Sequence, residues 1–541
     1  MMKKCKKKLI FLLVLAIFST ALIGCGNKEK TPVDKPGSTQ ANDKKDANNM
    51  NKDEDDKPKE VVKLTWYIRG NETDIGVKAF EEVNRLANTE TELIVITENQ
   101  DDQYKMMIAS GNYPDLIRWT NALTYPGGVP KLVNDGVAIE LNDLIDNHMP
   151  NLKKILEEKP NIRKQMTNDE GKYQFFANIN PLESDIDKSI ASTTGFAMRS
   201  DWLENIGLDI PTNMDEWYNV LTAFKNNDPN GDGANNEVPF EGTGLDMFAP
   251  AFGIRRTYFI RPETGKVAFG PIEPEYKEYL ATLNKWYNEG LIGPNSILTD
   301  GKLTDANITA DIAGSFKALT NAWEKYLPAL QEKNPNADFV PVPWPKTVDG
   351  IAYTDRTELM NHINKETTII TSSCKNPEAA ARLIDYMYSD EGSFLLSWGF
   401  EGESYEIVDG KYQFIEYPKD GDVQVSHFVK PHVAWPKYGY TEAHANMFKP
   451  VRLVAADAWA QGVDSSLIYP PAIIFSEEET NTIIDINGDM GSYVQDMTNK
   501  FITGEEPLSN FDTYVQNVKK FGVEKIIQIH EENLARYNNK K

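Results

Sequence analysis

The amino-acid sequence predicts a mixed α/β fold, on three observations. From Val61 onward, segments of period-two alternation are followed by segments of helical spacing, the pattern of parallel βαβ units. Hydrophobic residues make up 40% of the chain and aromatics 10%, enough to fill a sizeable core. The length of 541 residues corresponds to about three domains or two large lobes.

The elements follow in order. Val62 to Tyr67 alternates as a strand, and Ile75 to Leu86 carries helical spacing. Glu92 to Ile96 is a second strand, Tyr104 to Ala109 a helix, and Asp115-Leu116-Ile117 a third short strand. Ligands of open α/β sheets sit outside the carboxyl ends of strands, where Trp66, Arg69, Arg118 and Trp119 fall. Helices dominate further on. Thr212 reads as an N-cap with Asp215 as its capping partner, and Trp217, Leu221 and Phe224 then form one apolar stripe. Tyr276 to Tyr287 and Glu378 to Trp398 show similar periodicity.

The amino terminus reads as an export signal. Five lysines between Lys3 and Lys8 precede an apolar run from Leu9 to Ile23, too short to span a bilayer comfortably. The run ends in Leu22-Ile23-Gly24-Cys25, which resembles the bacterial lipobox, whose cysteine thiol receives a diacylglyceryl group and becomes the first residue. The resemblance implies a lipoprotein tethered to the extracellular face of the cell membrane through Cys25. From Gly26 to Glu60 the composition is Lys, Asp, Asn and Pro with almost nothing apolar, which cannot offset chain entropy and predicts a flexible leash.

Charge and motifs narrow the chemistry. A net charge of -24 and a pI near 4.8 speak against nucleic acid, which needs a basic face. Acidic ligands stay open, since a local Arg cluster can oppose the global field. With Cys5 in the signal and Cys25 lipidated, Cys374 has no intramolecular partner. The chain has no Gly-x-Ser-x-Gly elbow, no phosphate-binding Gly-Lys-Ser/Thr loop and no Gly-x-Gly-x-x-Gly after the first strand. His530-Glu531-Glu532-Asn533-Leu534 begins like a zinc-protease helix, but Leu534 replaces the second ligand, and it reads as a polar helix face. His427 and His432 show no ligand spacing. Paired carboxylates stay open for glycoside hydrolysis, a chemistry that needs only two acids at the right separation.

One loop has a calcium pattern. Asp228, Asn230, Asp232, Asn236 and Glu237 place oxygen donors at positions one, three, five, nine and ten, with the Ala234 carbonyl at seven and Gly233 at the sharp turn. Pro239 stands where an EF-hand has its bidentate Glu, so Glu237 takes that task two residues earlier. The alternative is an Asn/Asp/Gly turn that merely ends the preceding helix. A second stretch, Asp485 to Asp489, lacks downstream acids and falls in a helical region.

Several motifs in sequence order resemble the large, oligosaccharide-type branch of the bacterial extracellular solute-binding proteins, family 1, of ABC importers. They include Gly111 to Asp115, Asn134-Asp135-Gly136, Arg199 to Leu203, Trp286 to Ile292, Asn376 to Ala380, Gly399 to Tyr405, Phe501 to Glu505 and Tyr514 to Tyr537. The resemblance implies a two-lobed, periplasmic-binding-protein-like fold with a hinge, an interlobe cleft and a helix-rich second lobe. Expected boundaries are 61–177 with 303–372 for the first lobe and 178–302 with 373–541 for the second. It also implies a monomer that closes on an oligosaccharide and delivers it to permease subunits. Alginate-binding members are similar in carrying a calcium loop in the donor order of residues 228–237, which supports a structural Ca²⁺.

A sugar site needs flat aromatics for ring faces and planar polar groups for hydroxyls. Trp202, Trp217, Trp286 and Trp459 fall in helical patterns and read as core, and Trp344 is ambiguous. Trp66, Trp119, Trp323 and Trp435 lie at strand ends or in polar loops and read as ring platforms. Arg69 and Arg118 are candidate clamps, with Glu401, Tyr405 and Tyr438 as further cleft residues. The reading is therefore capture and delivery without chemical change. A glycan-active enzyme with two carboxylates and a non-transport sensor or adhesin are its rivals.

Overall fold

The alternation of Val62-Lys63-Leu64-Thr65-Trp66 buries Leu64 and Trp66 and leaves Val62, Lys63 and Thr65 less covered, as a strand against a core requires. The structure, a computed structural model, describes residues 60–70, 77–119, 128–298, 301–416, 424–430 and 433–540. The signal segment, Cys25 and the leash as far as Lys59 lie outside the described residues. In chain order the described strands are β1 (Val62–Arg69), β2 (Thr89–Ile96), β3 (Leu116–Trp119), β4 (Phe176–Ile179), β5 (Thr194–Arg199), β6 (Val238–Glu241), β7 (Tyr258–Ile260), β8 (Val267–Phe269), β9 (Ala313–Leu319), β10 (Phe339–Val342), β11 (Ile363–Ile370), β12 (Tyr405–Val408) and β13 (Lys411–Phe414).

The first sheet has the order β2-β1-β3-β11-β4, with β1 parallel to β2 and β3, and β11 antiparallel to β3 and β4. Helices Lys78–Leu86 and Gln100–Ser110 make the two crossovers. Asp115, expected within the third strand, instead precedes it and locks β1 to β3. Its carboxylate accepts from the Thr65 amide and hydroxyl, both at 2.8 Å, and its own amide donates to Thr65 Oγ1. One core forms on this sheet around Trp66, Phe80, Ile117, Ile370, Leu383 and Met387.

The second sheet has the order β10-β5-β9-β6. Around it pack Phe196, Trp202, Trp217, Phe240, Phe248 and Trp286, and on its other flank Phe316, Trp323, Phe339 and Trp459. A Cβ on Gly195 of β5 would lie 2.3 Å from the Trp459 ring, so glycine is required where the indole crosses the strand. Trp202, Trp217, Trp286 and Trp459 are buried, as the helical spacing implied.

The chain passes between the sheets in three segments that hydrogen-bond side by side. Ile179 donates to the Lys437 carbonyl (2.8 Å), Gly439 donates to the Ile179 carbonyl (3.0 Å), and Asn180 donates to the His362 carbonyl (2.7 Å). This layout revises the expected lobe boundaries. β9 and β10, within 303–372, belong to the second sheet, whereas helices Pro377–Tyr388 and Asp390–Trp398 bury Leu383, Met387 and Leu396 in the first core. The second and third crossings fall later than the expected boundaries, because local spacing reveals a buried face and not which sheet receives it.

Local details also differ from expectation. Asn213, not Thr212, caps helix Met214–Asn226 by accepting from the Glu216 amide, while Thr212 bonds the Glu216 carboxylate. Glu378 to Trp398 is two helices, split where the Ser389 side chain caps the second. Asp485 to Asp489 lies within helix Glu477–Thr503, as expected. His530 is not on a polar face. It is 7% exposed, stacks on Tyr258 with ring centroids 4.2 Å apart, and meets the edges of Tyr469 and Phe475.

Burial pushes the His530 imidazole down to about 4. The unfolded chain, titrating near 6.5, then binds the proton that the folded state refuses, so the neutral ring favours folding above pH ~6.5 and this contribution is lost as pH falls towards 4. The effect is on the order of 3 kcal/mol. Denaturant titrations between pH 4 and 7 should show this slope, and His530→Phe should flatten it. An equal slope in both proteins would show that His530 does not carry it.

Candidate functional site

The calcium-type loop follows helix Met214–Asn226. Asp228, Gly231 and Gly233 adopt positive φ, curling the chain back on itself. The Asp228 side chain accepts from the Gly233 amide (3.0 Å), Asn230 from the Asp232 amide (3.2 Å) and Asp232 from the Ala234 amide (2.7 Å). One carboxylate oxygen from each of Asp228, Asp232 and Glu237 lies within 4.8 Å of the others. Asp228 Oδ1 and Glu237 Oε1 are buried without a hydrogen-bond partner. Burial, and then the neighbouring Asp228 and Asp232 charges, push the Glu237 carboxyl above its usual range. Hard oxygen donors converge here around uncompensated negative charge, which suits a divalent cation. The loop is also tied to the sheet, because the Asn230 amide donates to the Asp311 carbonyl (2.8 Å) and Asp311 pairs with the buried Arg199.

The carboxyl ends of β1 and β3 form a second polar region. Arg69 and Trp119 close these strands, and the segments that follow, 71–76 and 120–127, lie outside the described residues, as does the Trp119 side chain. Arg118 is 2% exposed. Its guanidinium stands 5.0 Å from the Trp435 ring centroid and 3.7 Å from the Glu366 carboxylate, and it donates to the Arg69 carbonyl (3.1 Å). Trp66 meets Trp435 edge-on (5.3 Å), and Phe80 stacks on Trp435 (4.5 Å, 11° between planes). Trp66 and Trp435, read from sequence as ring platforms, are thus buried in the first core, and Arg118 braces strand ends.

The remaining expectations divide in the same way. Trp323 is 3% exposed, its indole donates to the Phe339 carbonyl (2.9 Å), and it packs on Trp459. Tyr405 is buried among Phe394, Trp398 and Tyr412, while Glu401 is exposed and bridges to Tyr405 through the backbone. Trp344 is buried, donating to the Trp459 carbonyl, with Arg356 over its ring. Strand-end and loop positions seemed free in sequence, but neighbouring elements cover them. His432 lies outside the described residues.

Tyr438 lines a cavity of about 500 Å³ beside the crossing segments. Helix Pro150–Glu158, the Pro181–Asp187 segment, Tyr388, Ser393 and Tyr440 contribute to its wall. The Asp187 carboxylate, missed by sequence reading, holds two crossings together by accepting from the Glu183 and Ser184 amides and from the Thr441 hydroxyl. Lys437 was also missed. It is 3% exposed, donates to Ser397 Oγ (2.8 Å), and burial pushes its amine down to about 7. Ser397 is itself fully buried.

The burial of Trp323 sets an expectation. Trp323→Ala should destabilise the fold by ~3–5 kcal/mol in urea unfolding, the cost of emptying a core indole site. A loss below about 1 kcal/mol would return Trp323 to the surface aromatics.

Comparison with known proteins gives this geometry its context. The chain is 28% identical over 450 residues to the fructooligosaccharide ABC transporter substrate-binding protein FusA of Streptococcus pneumoniae, spanning 80% of this chain and 81% of that one. The structure of FusA with kestose matches with a TM-score of 0.67 at 23% identity, covering 88% of this chain and 100% of FusA, and an EF-hand mutant of FusA with fructo-nystose matches at 0.66 and 23%, with the same coverage. A solute-binding protein from Bifidobacterium longum infantis described as HMO-binding and ABC-transporter-associated matches at 0.70, with 18% identity over 89% of this chain and 100% of that one. The profile of the bacterial extracellular solute-binding proteins matches residues 88–393, more than half of the chain. With two α/β lobes joined by crossing segments, the protein belongs to the bacterial extracellular solute-binding protein family.

Proposed function

We propose that the protein captures an oligosaccharide between its lobes and passes it, chemically unchanged, to the permease of an ABC importer. The observation that carries this reading is the likeness to fructooligosaccharide-binding FusA over 80% of the chain. The crossing segments supply the hinge, and ligand binding favours the shut state by touching both lobes. Cys25, once lipidated, tethers the monomer to the outer face of the membrane, and the polar leash lets the body reach the permease. The ligand rests on polar groups at the end of β1 and in the loop and crossing segments, with Arg69, Glu401 and Tyr438 as candidate contacts.

Asp228, Asn230, Asp232, the Ala234 carbonyl, Asn236 and Glu237 hold a structural Ca²⁺ in this reading. The three converging carboxylates and the two unpartnered oxygens support it. The ion closes the loop and, through Asn230 and Asp311, stiffens the second sheet's edge.

Calorimetry with kestose, nystose, oligogalacturonides and alginate oligosaccharides should find one class bound with a micromolar or tighter Kd, about -8 kcal/mol. Chromatography of the released sugar should recover it uncleaved. No binding across these sugars, or cleavage on prolonged incubation, would count against capture and delivery.

The metal has its own test. Excess EGTA should lower the melting temperature, and calcium should restore it by mass action. Glu237→Gln should remove most of this response. Melting curves indifferent to chelator would rule the ion out.

A further inference from the structure

Helix Val523–Asn539 belongs to the second lobe, where Val523, Ile526 and Leu534 are buried in the core. Its last turn reaches across to the first lobe. Arg536 Nε donates to the Asp169 carboxylate (2.8 Å). The Lys540 ammonium, just past the helix end, donates to the Thr167 carbonyl (2.7 Å) and stands 3.5 Å from Asp169. Lys164 lies over the Tyr537 ring, 4.5 Å from its centroid. All three first-lobe groups sit on or just after helix Pro160–Met166, which buries Ile162 and Met166 in the first core.

The arrangement is set up on both sides. Arg536 Nη2 donates to Glu479 (2.7 Å) and Asn533 (2.6 Å) of its own lobe, so the planar fork is held with its Nε edge towards Asp169. Glu479 is in turn fixed by the capping box with Ser476 at the start of helix Glu477–Thr503. On the other side, Gln165 accepts from the His362 amide (2.8 Å) and donates to the Met360 carbonyl (2.9 Å). His362 lies in a crossing segment, so the ties sit beside a crossing without being part of one.

The two kinds of link respond differently to a change of lobe angle. Crossing segments follow it by adjusting backbone dihedrals. Side-chain ties have hydrogen-bond length, and moving the helix end by a few ångström breaks them. Asp169 and Arg536 are 42% and 38% exposed, so their attraction is individually weak and screened by salt. Several such ties bias an equilibrium and still let go. We infer that the carboxyl end of helix Val523–Asn539 is an electrostatic strap that clips the second lobe to the first and restrains the angle between them. The inference uses the hinge of the proposed function but goes beyond capture, since the strap acts with or without a sugar.

The test places spin labels on the purified full chain at Ala109→Cys and Glu278→Cys, exposed helix positions of the first and second lobe, with Cys374→Ser as background. Pulsed electron-spin resonance then reads the distance between lobes. Without added sugar, Asp169→Asn should shift or broaden that distance by more than about 2 Å, and Asp169→Lys, which repels Arg536 and Lys540, should do so further. Raising salt from about 0.01 to 1 M shortens the screening length from roughly 30 to 3 Å, so it should loosen the protein with Asp169 intact and change Asp169→Asn little. Asp169 is half exposed, so both variants should fold, with circular dichroism as the control, and the salt arm needs no substitution at the strap. Equal distances in all three proteins at both salts overturn the strap. If kestose or an oligogalacturonide then shifts that common distance, the hinge stands without a strap. Variants that shift the distance while no sugar does so sustain the strap and count against closure on a sugar.

Discussion

The constraint on which the architecture depends is the side-by-side pairing of the three segments that cross between the sheets. Ile179 exchanges backbone hydrogen bonds with Lys437 and Gly439, and Asn180 bonds His362. These are short-range, directional contacts at the junction of two separately packed cores. Each core buries its own aromatics, Trp66 and Phe80 in one, Phe196 and Trp217 in the other. Two separately packed cores move against each other at such segments, because repacking either core would cost far more than adjusting a few loop dihedrals. Asp187 and Lys437 reinforce the same place, one by capping across two crossings and one by burying an amine against Ser397.

The polar features of the second lobe are tied to its sheet. Asp311 pairs with the fully buried Arg199, which also meets Asp201, and the Asp311 carbonyl accepts from Asn230 of the acidic loop. A buried guanidinium needs both carboxylates, so this network resists local rearrangement. The loop is consequently part of the sheet's edge, and charge gathered at Asp228, Asp232 and Glu237 acts on a framework that cannot simply splay apart.

The aromatic residues show why a binding surface is hard to read from a chain. Trp66, Trp323 and Trp435 read from sequence as strand-end or polar-loop residues, yet Trp66 lies within β1, Trp323 in helix Ala322–Gln331, and each indole is covered by other elements. Phe80 and Arg118 cover Trp435, and Phe339 and Trp459 cover Trp323. Composition near a residue records local polarity, whereas burial depends on which remote segment packs over it. The same reasoning explains why helices Pro377–Tyr388 and Asp390–Trp398 join the first core when their position in the chain pointed to the second.

What the sequence determined by itself was whatever depends on neighbours a few residues apart. The alternation of β1, the stripe Trp217-Leu221-Phe224, the curl and donor order of the 228–237 loop and the family motifs all fall in this class. Their energies come from backbone geometry and near side chains, so spacing alone exposes them. The tertiary structure decided which strands share a sheet, where the chain crosses between lobes, that His530 and Lys437 are buried, and which polar groups line a cavity. These outcomes depend on contacts between segments hundreds of residues apart, and desolvation is a property of the packed whole rather than of any local stretch.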